Sequence, residues 1–351
     1  MAALPVCLLA TSDPAAAELA RRLPDATLAA HAADVEGRAF DIAVAWDWRA
    51  TLELFAVQAR RHAYRVDGFA HHRMGEWDAE RIPAALSYDL PVDFLATGRW
   101  VADALAELRP ASRVLLVPDG VDPPPVTAPP PAAGAPLRVL VDDRWLPDSA
   151  PSVAREAVGR ATAPLAAAWL GRDDGAADEA AALAQADVLV RLDPVDGVLG
   201  SPLRAMRAGV VPVVLASGGQ DELVEHDVTG IVADVEDPGG TARRLDALAA
   251  EPEALARLRA AAGARAAAWP DREAAAAAWA AALAELTATE PPRDAAWPDR
   301  LMGDALAAAA AWHTQHQHLT AAVHQARAAA EAAGRPARGG LLTRLRGGAG
   351  R

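Results

Sequence analysis

A helix that starts near Ser201 is the first feature of this sequence that could do chemistry. The short apolar run Val188–Leu192 is typical of a strand in a parallel sheet, and Ser201 followed by Pro202 is typical of an N-cap and a first helical position. The first amide N–H groups of such a helix, from Gly200 to Leu203, lack partners inside it, and the helix dipole favours negative charge there. We therefore predict that this helix tip binds an anion such as a phosphate.

Charged and titratable side chains supply two further candidates. All 34 basic residues are arginine, which excludes lysine-based catalysis. Arg204 lies in the first turns of the predicted helix and has two interpretations, a forked partner for a phosphate or a solvated helix residue. His71 and His72 follow a strand together with Arg73, and histidine titrates near neutral pH. We consider both a role for the histidines in positioning or proton transfer and a polar surface loop.

Short apolar runs alternate with alanine-rich stretches in two blocks, which is typical of strand–helix units around a parallel sheet. The predicted strands are Pro5–Ala10, Phe40–Ala45, Val92–Ala96 and Val114–Val117, then Leu137–Val141, Leu165–Leu170, Val188–Leu192, Pro212–Ala216 and Ile231–Val232; the helices between them include Ala50–Gln58 and Asp221–Glu225. The proline-rich residues 123–136 favour an extended linker between the blocks. We predict an α/β fold with two Rossmann-like domains, 1–122 and 137–270, and ligands between them at the carboxyl ends of the strands.

Three segments follow the second block. Residues 271–288 are predicted to form a helix with Trp279 and Leu283 on one side, and residues 299–334 a further helix that could pair with a second copy or a partner. The tail, residues 335–351, is basic and rich in glycine. Weak contact with an anionic membrane surface and simple disorder are both open for it.

Composition excludes several functional classes. A net charge of -13 argues against nucleic acid as a partner, since phosphate backbones are held mainly by basic surface. One cysteine, Cys7, allows neither an internal disulfide nor a cysteine zinc site, and the acidic pairs at 142–143 and 173–174 are typical of solvated turns. No apolar run is long enough to span a bilayer, so we expect a cytoplasmic protein without a metal site.

The second block resembles the donor-sugar motif of the retaining glycosyltransferases of family four, which have the two-domain GT-B fold. The tail of that motif, Ala-Met-x-x-Gly-x-Pro-Val-Val, is similar to Ala205–Val214, and its Gly-Gly-x-x-Glu turn is similar to Gly218–Glu222. Gly218 and Gly219 would let the backbone approach a ligand closely, and Glu222 could accept hydrogen bonds from its hydroxyls. The resemblance implies that these three residues bind the donor.

Two positions depart from the family pattern. The family carries two glutamates, one for the donor sugar and one for ribose hydroxyls, where this sequence has Asp196 and Arg204. Asp196 keeps a carboxylate and is the implied catalytic contact to the sugar, whereas Arg204 cannot accept a hydrogen bond. Arg144 matches the first of a diphosphate-binding Arg and Lys, and no lysine follows. It either binds the diphosphate or is a loop arginine paired with Asp142 and Asp143.

The first block resembles the acceptor side of the rhamnosyltransferase-like branch of this family. Tyr64, Tyr88 and Thr97–Trp100 match two tyrosines and a Thr-Gly-x-Trp helix entry of that branch, while its acidic element is only loosely followed at Asp67. The resemblance covers about residues 5–269. It implies that Asp67, Arg73 and Tyr88 lie on the acceptor side, and that residues 271–288 cross back to the first domain.

These resemblances imply a retaining glycosyltransferase that moves a hexose or deoxyhexose from a nucleoside diphosphate sugar to a cell-surface glycan acceptor. They imply no resident cofactor and no metal, because the nucleotide sugar is itself the donor substrate. An alternative is a catalytically degenerate GT-B protein that binds or scaffolds an active partner, which Arg204 and the missing lysine favour. A third is another sugar-nucleotide enzyme such as an epimerase, which would need carboxylates and histidines around the sugar that the sequence does not supply.

Overall fold

The structure is a computed structural model that describes residues 5–11, 13–74, 80–123, 129, 134–144, 152–171, 176–192, 200–234 and 237–291. The first of its two parallel sheets has the strand order β2-β1-β3-β4-β5-β6. These strands are β1 Val6–Leu9, β2 Ala26–Ala29, β3 Phe40–Ala45, β4 Ala59–Val66, β5 Asp93–Ala96 and β6 Val114–Leu116. Alternate residues of β1 enter two separate cores, so both faces of the sheet are covered.

The helices of the first domain begin where the sequence supplies caps. Asp13 accepts hydrogen bonds from the amides of Ala15 and Ala16, and Asp47 accepts one from Ala50. The helices are α1 Pro14–Arg22, α2 Trp48–Leu54, α3 Arg81–Leu86 and α4 Arg99–Leu108, with short 3-10 helices at Ala32–Val35, Ala70–Arg73 and Ser87–Asp89.

The second sheet has the strand order β11-β10-β9-β7-β8. Its strands are β7 Leu137–Asp142, β8 Leu165–Leu170, β9 Val188–Arg191, β10 Val211–Leu215 and β11 Ile231–Ala233. The helices of this domain are α5 Val153–Arg160, α6 Ala176–Leu183, α7 Gly200–Arg207, α8 Pro238–Ala250 and α9 Pro252–Ala267, with a 3-10 helix at Gln220–Glu222. The chain runs outward from β7 in both directions, so the topological switch point lies between β7 and β9. Ligands of open parallel sheets bind at such a point.

The last described helix, α10 at Arg272–Thr287, packs on the first domain. Its Trp279 is buried and stacks on Trp46, with 5.6 Å between ring centroids, and Leu283 enters the same core. The buried Arg61 of β4 donates a 2.6 Å hydrogen bond to the carbonyl of Thr289, just after the helix ends. The chain therefore starts and finishes its described course in the same domain.

The predicted fold class is confirmed: two parallel α/β sheets, each with two covered faces, follow one another along the chain. The strand β2 is absent from the sequence prediction, and β4 is predicted only as the strand before His71, without bounds, because both lack a distinctive apolar pattern and form by pairing with their neighbours. The helix predicted at Ala50–Gln58 ends at Leu54, and the one at Asp221–Glu225 is only a 3-10 turn.

Several predictions fall outside the described residues. They concern most of the linker 123–136, the helix 299–334 with its proposed partner contact, and the tail 335–351. Within the described ranges, no helix combines the length and the apolar character needed to cross a bilayer.

Candidate functional site

A cleft of about 510 Å³ lies between the two domains. Trp46 and Thr97 line it from the first domain, where they follow β3 and β5, and Gly200, Leu203 and Arg204 line it from the second. The start of α7 therefore faces the interdomain cleft, as the helix-tip prediction requires. A larger cavity, about 720 Å³, is lined only by second-domain residues around His226 and holds none of the predicted site residues.

The first turn of α7 differs in detail from the sequence prediction. The helix begins at Gly200, so Ser201 is not its N-cap; the buried hydroxyl of Ser201 instead donates a 2.9 Å hydrogen bond to Oδ2 of Asp142. Pro202 and Leu203 are buried behind it. An added Cβ at position 200 would lie 2.6 Å from Nη1 of Arg204, so the end of this flexible side chain lies directly over Gly200. The Arg204 side chain thus folds back over the start of its own helix.

Three guanidinium groups and two buried carboxylates meet at the switch point of the second sheet. Asp142 at the end of β7 receives hydrogen bonds from Arg144 at 2.8 and 2.9 Å, and from Arg191 at the end of β9 at 2.8 Å. Glu179 of α6 receives one from Arg144 at 2.7 Å and two from Arg204 at 2.6 and 3.0 Å. We call these five residues the arginine cluster.

The arginine cluster keeps the Asp142 carboxylate charged, and its five residues carry one more positive than negative formal charge. Burial raises the pKa of Asp142, but the hydrogen bond from Arg144 and the charges of Arg191 and Arg144 outweigh it and hold that pKa well below its usual range. The hydrogen bond to Asp142 correspondingly raises the pKa of Arg144, although burial opposes it. Three cations facing two anions leave one positive charge, which suits the cluster to an anionic ligand.

Both interpretations of Arg204 need correction. It is not a freely solvated helix residue, since Glu179 holds one edge of its guanidinium, and a phosphate would have to share it with that carboxylate. Arg144 is paired as the loop interpretation expects, but with Asp142 and Glu179, whereas Asp143 binds Arg155 and Ser152. Asp196 lies outside the described residues.

The Gly-Gly turn contacts the first domain instead of an open ligand site. The two carboxylate oxygens of Glu222 accept hydrogen bonds from the amides of Arg99 and Trp100, at 2.9 and 2.7 Å. Glu222 therefore caps α4 across the cleft, and its binding of ligand hydroxyls stays a prediction. Gly218 and Gly219 both have positive φ, and Gly219 packs directly against the indole of Trp100.

We expect Gly219→Ala to destabilise the protein by about 3 kcal/mol, because alanine is strained at a φ of 82° and its Cβ would also overlap the Trp100 ring. Gly37→Ala is the matched control: its φ is 76° and nothing lies within 4 Å of the added Cβ, so about 1 kcal/mol is expected. Urea unfolding of both variants checks this. Equal losses would contradict the proposed contact.

On the acceptor side, the structure brings His71 and His72 together on the 3-10 helix that follows β4. Their rings are 4.2 Å apart, and His71 also packs near Phe69 and Tyr88. Burial, followed by the charges of His72 and Arg81, lowers the pKa of His71 from 6.5 to about 4. The ring is therefore neutral at pH 7 and can accept a proton or a hydrogen bond.

The other residues predicted on the acceptor side are Tyr88, Asp67 and Arg73, and they lie in three different environments. Tyr88 is buried in the core; its hydroxyl accepts from the amide of Ala70 and donates to the carbonyl of Gly68 at 3.1 Å, so it does not face an acceptor. Asp67 is exposed at the end of β4 and pairs with Arg65 at 3.3 Å. Arg73 ends the 3-10 helix, and its side chain lies outside the described part of the chain.

The lowered pKa of His71 predicts a loss of stability in mild acid. The folded state disfavours the protonated ring. The contribution of the neutral His71 ring to the free energy of unfolding is therefore fully present above pH 6.5 and declines as the pH falls toward 4. When the pH falls from 7 to 5, we expect the free energy of unfolding of His71→Gln to decrease by about 1 kcal/mol less than that of the wild type, after allowance for solvent screening.

The variant His31→Gln should differ from the wild type in the opposite direction over this pH range, because the hydrogen bond to Glu53 raises the pKa of His31. Unfolding curves at several pH values test both; matching pH profiles for wild type and His71→Gln would refute the assignment.

Sequence reasoning missed Arg191 and Glu179 of the arginine cluster and predicted the wrong burial for Asp142. Arg191 ends a predicted strand, so its place at the sheet edge was available from the pattern. Asp142 had been interpreted as a solvated turn residue, although it is fully buried at the end of β7. Glu179 gives no signal in the sequence, because its partner Arg204 is 25 positions away. In the described ranges, no group of three or more acidic, histidine or cysteine side chains could hold a metal ion.

Comparison with known proteins agrees with this architecture. The family model for group 1 glycosyl transferases matches residues 168–265. A search of curated proteins finds no significant match. Anabaena HepE, solved in complex with UDP and glucose, superposes with a TM-score of 0.63 and 14% identity over 81% of this chain and 100% of HepE.

Two further solved structures share the fold. Sucrose-phosphate synthase from Thermosynechococcus elongatus gives a TM-score of 0.54 with 16% identity over 71% of this chain and 74% of its own. A variant of TarM from S. aureus, bound to fondaparinux, alpha-GlcNAc-glycerol and UDP, gives 0.54 with 11% identity over 69% of this chain and 55% of its own. The chain therefore has the GT-B fold, and residues 168–265 in its second domain match the group 1 glycosyl transferase model.

Proposed function

We propose that this protein is a retaining glycosyltransferase that moves a hexose or deoxyhexose from a nucleoside diphosphate sugar to a cell-surface glycan acceptor, without a metal ion. The observation that carries the proposal is the start of α7, which faces the interdomain cleft beside three guanidinium groups. The family match over residues 168–265 supports it. Because HepE was solved with UDP and glucose, uracil is the first base to test, as its nucleotide UDP.

The cluster suits the chemistry of glycosyl transfer. Negative charge grows on the departing diphosphate, and the amides of Gly200, Ser201 and Leu203 together with Arg144 and Arg204 would stabilise it. The acceptor hydroxyl would attack from the face that the diphosphate leaves, and the leaving phosphate would take its proton. The protein then contributes closure, orientation and electrostatics.

Neutral His71 would act on the acceptor side of the proposed reaction. Its ring lies on the segment after β4, at the carboxyl edge of the first sheet, which is the edge that faces ligands in this fold. A neutral imidazole can orient an acceptor hydroxyl by accepting its hydrogen bond. Asp196, the implied contact to the donor sugar, belongs to the same proposal.

Calorimetric titration with UDP, GDP, ADP and uridine tests the donor class. We expect one nucleoside diphosphate to bind and its nucleoside to bind more weakly, because the diphosphate supplies the charge that the arginine cluster recognises. Hydrolysis of UDP-glucose in the absence of acceptor then tests for chemistry. Failure of every diphosphate to bind at millimolar concentration would reject the proposal.

A second candidate is a non-catalytic GT-B protein that binds or scaffolds a partner. The capping of α4 by Glu222 and the pairing of Arg204 with Glu179 favour it, since both side chains are already occupied by the protein. Nucleotide binding without any hydrolysis or transfer would support this candidate. Turnover of a nucleotide sugar would exclude it.

A further inference from the structure

We propose that Glu179 is a positioning residue that holds Arg144 and Arg204 in place for the diphosphate, an inference that rests on the proposed function. Glu179 lies on α6, outside the strand ends and the α7 tip that form the rest of the site. In the described part of the chain, its carboxylate contacts both arginines: it accepts from Nη2 of Arg144 and from Nε and Nη2 of Arg204.

Burial makes this carboxylate a fixed support. The Glu179 side chain is 2% exposed, so its charge is satisfied by the two guanidinium groups rather than by water. The Arg204 side chain is 40% exposed and reaches the cleft. Without the hydrogen bonds from its Nε and Nη2 to Glu179, an arginine side chain in that position would sample many rotamers.

The geometry directs the outer edge of Arg204 toward the proposed anion site. Glu179 takes the Nε–Nη2 edge, and Nη1 is left beside Gly200, where the first amides of α7 have no partner inside the helix. A diphosphate at the helix tip would therefore meet backbone donors and a pre-oriented guanidinium together. Arg144 is fixed from two sides, by Glu179 and by Asp142.

Glu179 also carries a negative charge, which by itself would repel a phosphate. Removing it would raise the excess charge of the cluster from one to two. Because Arg204 faces solvent, that long-range gain is screened by water and salt. The loss of order in two long side chains is not screened, and it weakens every hydrogen bond that they make to the ligand. We therefore expect the positioning effect to exceed the repulsion.

The test compares Glu179→Gln with Glu156→Gln in the full chain. Glu156 is the matched control, since it is an exposed carboxylate of the same domain that pairs only with Arg160 among the described ion pairs. Calorimetry with UDP should show about tenfold weaker binding for Glu179→Gln and no change for Glu156→Gln. Uridine, which has no phosphate, should bind both variants as it binds the wild type.

Other outcomes would overturn the inference. Unchanged or tighter UDP binding by Glu179→Gln would show that the carboxylate does not position the arginines. An equal loss for UDP and uridine would show a purely structural role. Glu179→Asp, which keeps the charge on a side chain one methylene shorter, replaces the glutamine variant if that one does not fold, with the same expected loss. If the wild type itself binds no nucleoside diphosphate, the proposed function fails first.

Discussion

Replacing Arg144 by alanine is expected to lower kcat/KM for the nucleotide sugar in the proposed transfer reaction by about 100- to 1000-fold. Arg144 contacts both carboxylates of the arginine cluster, so its guanidinium is the best ordered of the cations beside the start of α7. A cation held in advance at the place where charge grows costs little reorganisation in the transition state. Steady-state kinetics with UDP-glucose measure the effect.

Arg155→Ala is the control for this prediction. Arg155 is a more exposed arginine at the start of α5, and it pairs with Asp143 at 3.0 Å. Its loss removes the same charge from the same domain, so general electrostatics would affect both variants equally. We expect less than about a twofold change for Arg155→Ala, because exposed charges are screened. Similar losses in the two variants would remove Arg144 from the diphosphate site.

The fold of the Arg144→Ala variant should survive. Asp142 keeps hydrogen bonds from Arg191 and Ser201, and Glu179 keeps two from Arg204. A melting temperature close to that of the wild type, together with retained binding of uridine, would show that the kinetic loss is local. A large drop in both the melting temperature and the affinity for uridine would mean that the role of Arg144 is chiefly structural.

The largest effect on stability is expected for Asp93→Ala, which should cost about 3–5 kcal/mol. Asp93 is fully buried and lies 2.5 Å from Nε of Arg61, whose side chain is 3% exposed. Without the carboxylate, the guanidinium would remain buried and charged with only neutral partners, which are two carbonyls and the hydroxyl of Thr289. The same guanidinium binds the carbonyls of Leu286 and Thr289, so the loss should also loosen the end of α10 from the first domain.

The control for Asp93→Ala is Asp41→Ala, because Asp41 pairs with Arg60, the residue that precedes Arg61 on β4. Arg60 pairs with Asp41 at 3.2 Å, and its side chain is 75% exposed. Asp41→Ala should therefore cost less than about 1 kcal/mol. Urea unfolding followed by tryptophan fluorescence compares the two variants, since Trp279 on α10 reports the docking of that helix. A loss below about 1 kcal/mol for Asp93→Ala would contradict the assigned role of the buried pair.

Much of the framework could be predicted from the sequence because it depends on neighbouring residues. The apolar strands of both sheets and the helix that follows β9 come from local periodicity and capping residues. Asp271, for example, accepts from the amide of Ala274 at the start of α10. The strands β2 and β4 are the exceptions, since their place in the sheet is set by pairing partners.

The chemistry of the site was only partly predictable, for a different physical reason. The sequence by itself determined that a helix tip and arginines would lie at the carboxyl edge of a parallel sheet. Only the tertiary structure decided which charges meet: Glu179 with Arg204 across 25 positions, and Glu222 with the start of α4 across 123. Ion pairs and caps act over a few ångströms in space, and sequence spacing carries no information about such distances once the chain folds back on itself.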